Sequence, residues 1–171
     1  MWSWEHAALG YLLGRTIVPV ENTHGFPYVA LLFGTQFPDL VDKPLAWSVA
    51  VLPTGRSLAH SLITFTLLVA AAWWLTERID REEYAIAFGI GYASHLVGDS
   101  LQPIINLDLP SLTFLLWPVL PSPTYDIPPS FSAHLANLEL TFWLSVKLLL
   151  VATVVLEAVW TEYDHRAHKG S

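Results

Sequence analysis

Apolar runs broken by single ionisable residues set the pattern of this chain. Residues 4–18 are apolar apart from Glu5, His6 and Arg15, and the spacing predicts a first helix ended by Pro19 and the cluster at 21–25. A short apolar run at 28–37 is expected to close at Pro38-Asp39-Leu40-Val41-Asp42-Lys43-Pro44, and residues 45–52 are apolar again before Pro53-Thr54-Gly55-Arg56 turns the chain. Residues 57–76 read as a helix with Ser57 as its N-cap, and 84–101 as another, joined by a charged turn at 77–83. Each of these two runs approaches the ~20 residues that cross a bilayer. Residues 137–160 predict a last helix, followed by a tail containing His165 and His168.

The stretch 102–136 differs: it holds seven of the twelve prolines yet includes the apolar run 112–118. So long and apolar a connection is expected to pack as a lid or as a re-entrant loop at a membrane interface. The predicted architecture is all-α, an integral-membrane bundle of about four to five helices with one long Pro-rich loop, in a single domain covering residues 1–171.

Composition supports the membrane class. Of 171 residues, 53% are hydrophobic and only 13% charged, against about 25% in soluble domains, and the mean hydropathy is +0.45. Eight tryptophans suit membrane interfaces. A net charge of −7 without a basic stripe argues against nucleic acid as a partner and leaves membrane lipid as the expected one. With no cysteine, disulfides and thiolate metal sites are excluded, so a transition metal would need His, Asp and Glu. The N-terminal residues lack the basic region of a cleavable signal peptide. Placing the 77–83 turn, with Arg78 and Arg81, and the C-terminal tail inside puts the polar residues described next on the extracytoplasmic side, although Lys43 and Arg56 count against that orientation.

Candidate chemistry starts at His95 and Asp99, four residues apart in an apolar helix and therefore on one face. Buried unpaired they would be costly. An up-and-down arrangement brings His6, Asp39 and His60 to the same end, giving a nitrogen and oxygen donor set suited to a divalent ion, zinc first and manganese as the alternative. Asp99 could bridge to a second ion held with His6. Asp42 is a candidate general base or a partner behind a ligand, and Arg56 a candidate contact for an anionic substrate group, its alternative being a headgroup-level surface arginine. His134 and Glu139, five apart, share a helix face poorly, and His24 has little context. No Gly-rich phosphate loop, Gly-x-Ser-x-Gly elbow or catalytic cysteine is present, which removes support for nucleophile-type hydrolases.

His6, Pro38-Asp39-Leu40-Val41-Asp42, Gly55-Arg56-Ser57-Leu58-Ala59-His60-Ser61, His95-Leu96-Val97-Gly98-Asp99, Leu101-Gln102-Pro103 and Leu116-Trp117-Pro118 together resemble the membrane-bound, predicted metal-dependent hydrolases of bacteria and archaea, a family that includes a LexA-binding-related inner-membrane protein. Gly55 stands where that pattern has a histidine, and one extra residue precedes Asp42. The ligand order is also similar to that of the zinc-dependent phospholipase C and single-strand nuclease superfamily. That resemblance implies an all-α fold, phosphoester hydrolysis, one metal on Asp39, His60, His95 and Asp99, and a second on Asp99 with His6. The expected function is a membrane-bound, metal-dependent phosphoester hydrolase acting on a lipid or lipid-linked substrate through a metal-activated water. The alternative is a non-catalytic membrane module that binds metal or lipid.

Overall fold

The computed structural model describes residues 3–17 and 27–123, with positions 149, 151–153, 156 and 160 beyond them. Four α-helices lead the chain: α1 (Ser3–Ile17), α2 (Tyr28–Trp47), α3 (Leu62–Glu77) and α4 (Glu82–Ile105), followed by a 3-10 helix over Leu109–Leu116. The described residues include no strand, in keeping with the all-α expectation. The chain separates into two compact units, Met1–Asn137 and Leu138–Ser171. In the second, the described positions are helical. His24, His134, Glu139, His165, His168 and the 124–136 part of the Pro-rich loop lie outside the described residues.

In the first unit α4 is central: α1, α2, α3 and the 3-10 helix all pack on it. Three glycines allow this close approach. A Cβ on Gly34 would run into the Phe88 carbonyl, one on Gly91 into the Leu31 carbonyl, and one on Gly10 into the Thr35 methyl. Small residues at such crossings let backbones meet, as in helix packing within membranes. Around the α2–α4 seam, Phe37, Phe65 and Phe88 surround the fully buried Tyr92 with ring centroids 5.1–5.6 Å away, and the Tyr92 hydroxyl donates to the Ala59 carbonyl.

Three local expectations are corrected. First, the run at 28–37 does not close at Pro38: α2 continues through Pro38 and Pro44 to Trp47. Proline removes one backbone hydrogen bond and crowds the preceding turn, but here Leu31, Gly34, Thr35, Pro38, Asp39 and Asp42 are all buried, so packing holds the helix through both prolines. Second, Ser57 is not an N-cap. The helix begins at Leu62, capped by Ser61, whose hydroxyl accepts from the Ile63 N–H at 3.1 Å. Residues 57–60 instead wrap around Asp42. Third, no helix among the described residues is long and apolar enough to cross a membrane. The 16 residues of α3 rise about 24 Å, short of a ~30 Å hydrocarbon core. In α4, apolar residues are interrupted by Glu82, Glu83, His95 and Asp99. Even so, α3 buries none of its residues within the described structure, and Leu62, Ile63, Leu67, Trp73, Trp74 and Leu75 stand exposed on it.

Candidate metal centre

Four elements converge on one buried polar cluster. α1 supplies His6, α2 supplies Asp39 and Asp42, the 57–61 segment supplies His60, and α4 supplies His95 and Asp99. All six are buried, His60, His95 and Asp42 completely. The His60 Nε2 lies 3.6 Å from Asp39 Oδ1 and 3.5 Å from Asp99 Oδ2, and the His95 Nε2 lies 3.8 Å from each of the same two oxygens. The two Nε2 atoms are 3.1 Å apart.

The decisive feature is what lies behind each imidazole. The His95 Nδ1 faces the Thr35 carbonyl at 2.7 Å, and the His60 Nδ1 faces Asp42 Oδ2 at 2.8 Å. Both partners only accept, so each Nδ1 carries a proton and donates it. In the neutral form each Nε2 then presents a lone pair, and the two lone pairs point at one another beside two carboxylate oxygens. Such a hole is stable only around positive charge. A proton is one solution: burial opposes charge on His60, but hydrogen bonds to Asp39, Asp42 and Asp99 outweigh it and push the pKa from 6.5 up to about 10. A divalent ion is the other. Donors bonded at about 2.0–2.1 Å in a tetrahedron stand about 3.3 Å apart, and the three separations within the triad of His60, His95 and Asp99 run from 3.1 to 3.8 Å.

His6 adds a fifth donor. Its ring stacks on His95 with centroids 3.8 Å apart, its Nε2 is 3.3 Å from Asp99 Oδ1, and its buried Nδ1 has no hydrogen-bond partner among the described residues. Two overlapping triads could each hold an ion, His60–His95–Asp99 and His6–Asp39–His95, with all donor atoms of a triad within 4.8 Å of one another.

Asp42 stands behind His60. Its carboxylate accepts from the Ser57, Ala59 and His60 N–H groups at 2.7, 2.8 and 3.3 Å as well as from the His60 ring. With its oxygens so occupied, it serves as an orienting partner, and the geometry gives no support to a general-base role. Carboxylates commonly play this part behind metal-binding histidines. Arg56 sits on the rim, its side chain 27% exposed, with Nε 2.8 Å from Asp99 Oδ2 and the guanidinium 5.9 Å from the Phe114 ring centre. Phe114, from the 3-10 helix, also meets His60 edge-on, and the same segment is tied down where Ser61 Oγ donates to the Trp117 carbonyl and Ser122 Oγ to the Arg56 carbonyl. The described part of the Pro-rich loop therefore packs over the cluster.

Sequence reasoning missed two contributors. Lys43 bonds Asp39 Oδ2 at 2.5 Å, an i,i+4 pair that is visible only if α2 is known to run through Pro38. The Thr35 carbonyl carries no side-chain signal at all.

The model of the YdjM inner membrane protein family matches residues 1–165. The chain belongs to that family. Members are described as inner membrane proteins, which supports a membrane location. No curated protein and no solved structure matches the chain. In this member of the YdjM family the cluster's residues could hold a divalent ion: two imidazoles with fixed tautomers, two carboxylates and a His6 nitrogen that has no partner among the described residues.

Proposed function

We propose that this protein is a membrane-bound metal-dependent hydrolase of phosphoesters, with a lipid or lipid-linked substrate. The observation that carries the reading is the pair of imidazole lone pairs held 3.1 Å apart between Asp39 and Asp99. His60, His95, Asp39 and Asp99 would hold the ion, zinc first and manganese second, and His6 with Asp99 or Asp39 would hold a second one. When bound, such an ion lowers the pKa of a water toward neutrality and polarises a phosphoryl oxygen. Asp42 keeps the His60 tautomer and ring direction fixed, and the Thr35 carbonyl does the same for His95. Arg56 offers its guanidinium to an anionic oxygen of the substrate at the rim.

A lipid substrate is supported by the surroundings of that rim. The exposed apolar residues Leu109 and Leu116 flank Phe114 on the 3-10 helix, and Leu62 and Ile63 stand exposed at the start of α3 next to His60 and Ser61. We place the cluster at the extracytoplasmic face, because Arg78 and Arg81 in the charged turn at 77–83 favour the inner one. One observation favours a non-catalytic reading: Asp99 is 4% exposed and His60 and His95 are fully buried, which suits an ion that ties helices together. Turnover decides between the two. Detergent-purified protein loaded with zinc or manganese is expected to hydrolyse a phosphodiester or phospholipid in a broad ester panel, and Asp99→Ala and His95→Ala are expected to abolish it. Stoichiometric metal with no turnover across the panel would leave the structural module.

A further inference from the structure

Two exposed apolar elements meet beside the cluster. α3 carries no charge from Leu62 to Thr76 and exposes Leu62, Ile63 and Leu67. Residues 109–123 carry none either, and expose Leu109, Leu116, Val119 and Leu120. Hydroxyls on these elements turn to their own backbone: Thr66 donates to the Leu62 carbonyl at 2.8 Å and Thr113 to the Pro110 carbonyl at 2.9 Å. Side chains satisfied in this way suit surroundings that offer no hydrogen bonds. The elements join where Ser61 Oγ donates to the Trp117 carbonyl at 2.6 Å, one residue past His60. Behind this seam lies Phe114, the buried residue of the 3-10 helix, its ring edge-on to His60 with centroids 6.1 Å apart.

A phosphoester reaches a cluster this buried only if a wall gives way. α2 and α4 are locked by close backbone approach, Gly34 on the Phe88 carbonyl and Gly91 on the Leu31 carbonyl. The 3-10 helix and the residues after it are held by side chains instead, Phe114 with the Ser61 and Ser122 hydroxyls. Such a segment opens at the least cost. Resting on the phosphoester reading above, we infer that α3 and the 3-10 helix form one lipid-facing wall, and that its seam at Ser61 and Trp117 is the entry by which a phospholipid brings its phosphate to the cluster. The occupant of the wall is the acyl-chain layer of a leaflet. Membership of an inner membrane protein family puts such a layer beside the chain, and a wall without charge suits acyl chains better than a charged partner. The acyl chains lie outside the seam along Leu62, Ile63 and Leu116, and the phosphate passes Phe114 toward His60.

The chain has no cysteine, so one introduced thiol carries one label. In full-length protein in phosphatidylcholine vesicles, bimane on Leu67→Cys or Leu116→Cys is expected to be quenched by acyl-brominated lipid and shielded from iodide. On Asp80→Cys, in the charged turn, the reverse is expected. A phosphatidylcholine with a diazirine beside its phosphate is expected to cross-link to residues 61–63 and 114–117. Tetradecylphosphonate is expected to compete and phenylphosphonate is not, which separates a lipid phosphate from a free one. Phe114→Ala is expected to raise this cross-linking by at least about 10-fold, since burial of the ring holds the seam shut. Phe114→Leu, with a smaller rise, carries the test should the alanine variant not fold. A Leu116→Cys label quenched by iodide and untouched by bromine would overturn the wall. Cross-links absent from the seam, unchanged in both variants, or displaced equally by phenylphosphonate would overturn the entry. Cross-links at the seam of a protein that takes up no cobalt would overturn the metal reading and leave the entry standing.

Discussion

Replacing Asp42 by alanine is the sharpest test of how the cluster is built. The carboxylate accepts three backbone N–H groups, from Ser57, Ala59 and His60, and the His60 ring N–H, all in a site with no exposure. An exposed loop would hand those donors to water; here they would be stranded. Each stranded donor costs about 1–3 kcal/mol, partly relieved if water enters the space left by the side chain. The net loss is placed at about 3–5 kcal/mol, the range for breaking a buried charged pair on one side. That is a large share of the 5–15 kcal/mol that usually holds a domain together. Loss of the orienting partner is also expected to lower metal affinity about 10–100-fold. Chemical unfolding in detergent gives the first quantity and competition with a chromophoric chelator the second. Asp42→Asn keeps the shape but replaces one acceptor by a donor among donors, so it is expected to fall close to alanine. A variant within about 0.5 kcal/mol of wild type, with metal affinity unchanged, would refute the view that Asp42 holds the 57–60 segment and aims His60.

Three further outcomes are expected. The His60 pKa is raised from 6.5 to about 10, so in protein stripped of metal its proton stabilises the fold fully below pH 6.5 and that contribution is lost as pH climbs through about 10; because an ion replaces that proton, apparent metal affinity is expected to rise over the same window, and a flat profile in both measurements would contradict the assignment. Gly91→Ala puts a methyl group into the Leu31 carbonyl and is expected to cost at least about 2 kcal/mol in chemical unfolding and to weaken metal binding by moving His95 on α4; an unchanged unfolding midpoint would refute the close α2–α4 approach. Ser61→Ala removes both the α3 cap and the bond to the Trp117 carbonyl, with an expected loss of about 1–2 kcal/mol in the same assay.

Much of the site was legible because the chemistry is conspicuous in an apolar chain. His95 and Asp99 share a helix face by spacing alone, and an up-and-down path through 57–101 places His60 at the same end. What was hidden depended on packing. Pro38 and Pro44 signal helix breaks, and only burial of the flanking residues against α4 shows why α2 runs on. Stopping that helix at 37 also concealed the i,i+4 relation of Asp39 and Lys43. Ser57 looked like a cap because it precedes an apolar run; its N–H is instead taken by Asp42, fifteen residues earlier, a partner that no local pattern announces. The expected membrane spans were read from run length and hydropathy, but α3 is shorter than its apolar run because residues 57–61 are used to position His60.

The central claim is that His60, His95, Asp39 and Asp99 form a cation site. Isothermal titration of purified, chelator-stripped protein with zinc tests it most directly, alongside His60→Ala, His95→Ala and Asp99→Ala variants shown to be folded. Saturable binding of at least one ion per chain, with proton release near neutral pH and loss of that binding in each variant, is the expected result. Wild-type protein that takes up no more zinc than the variants would contradict the account.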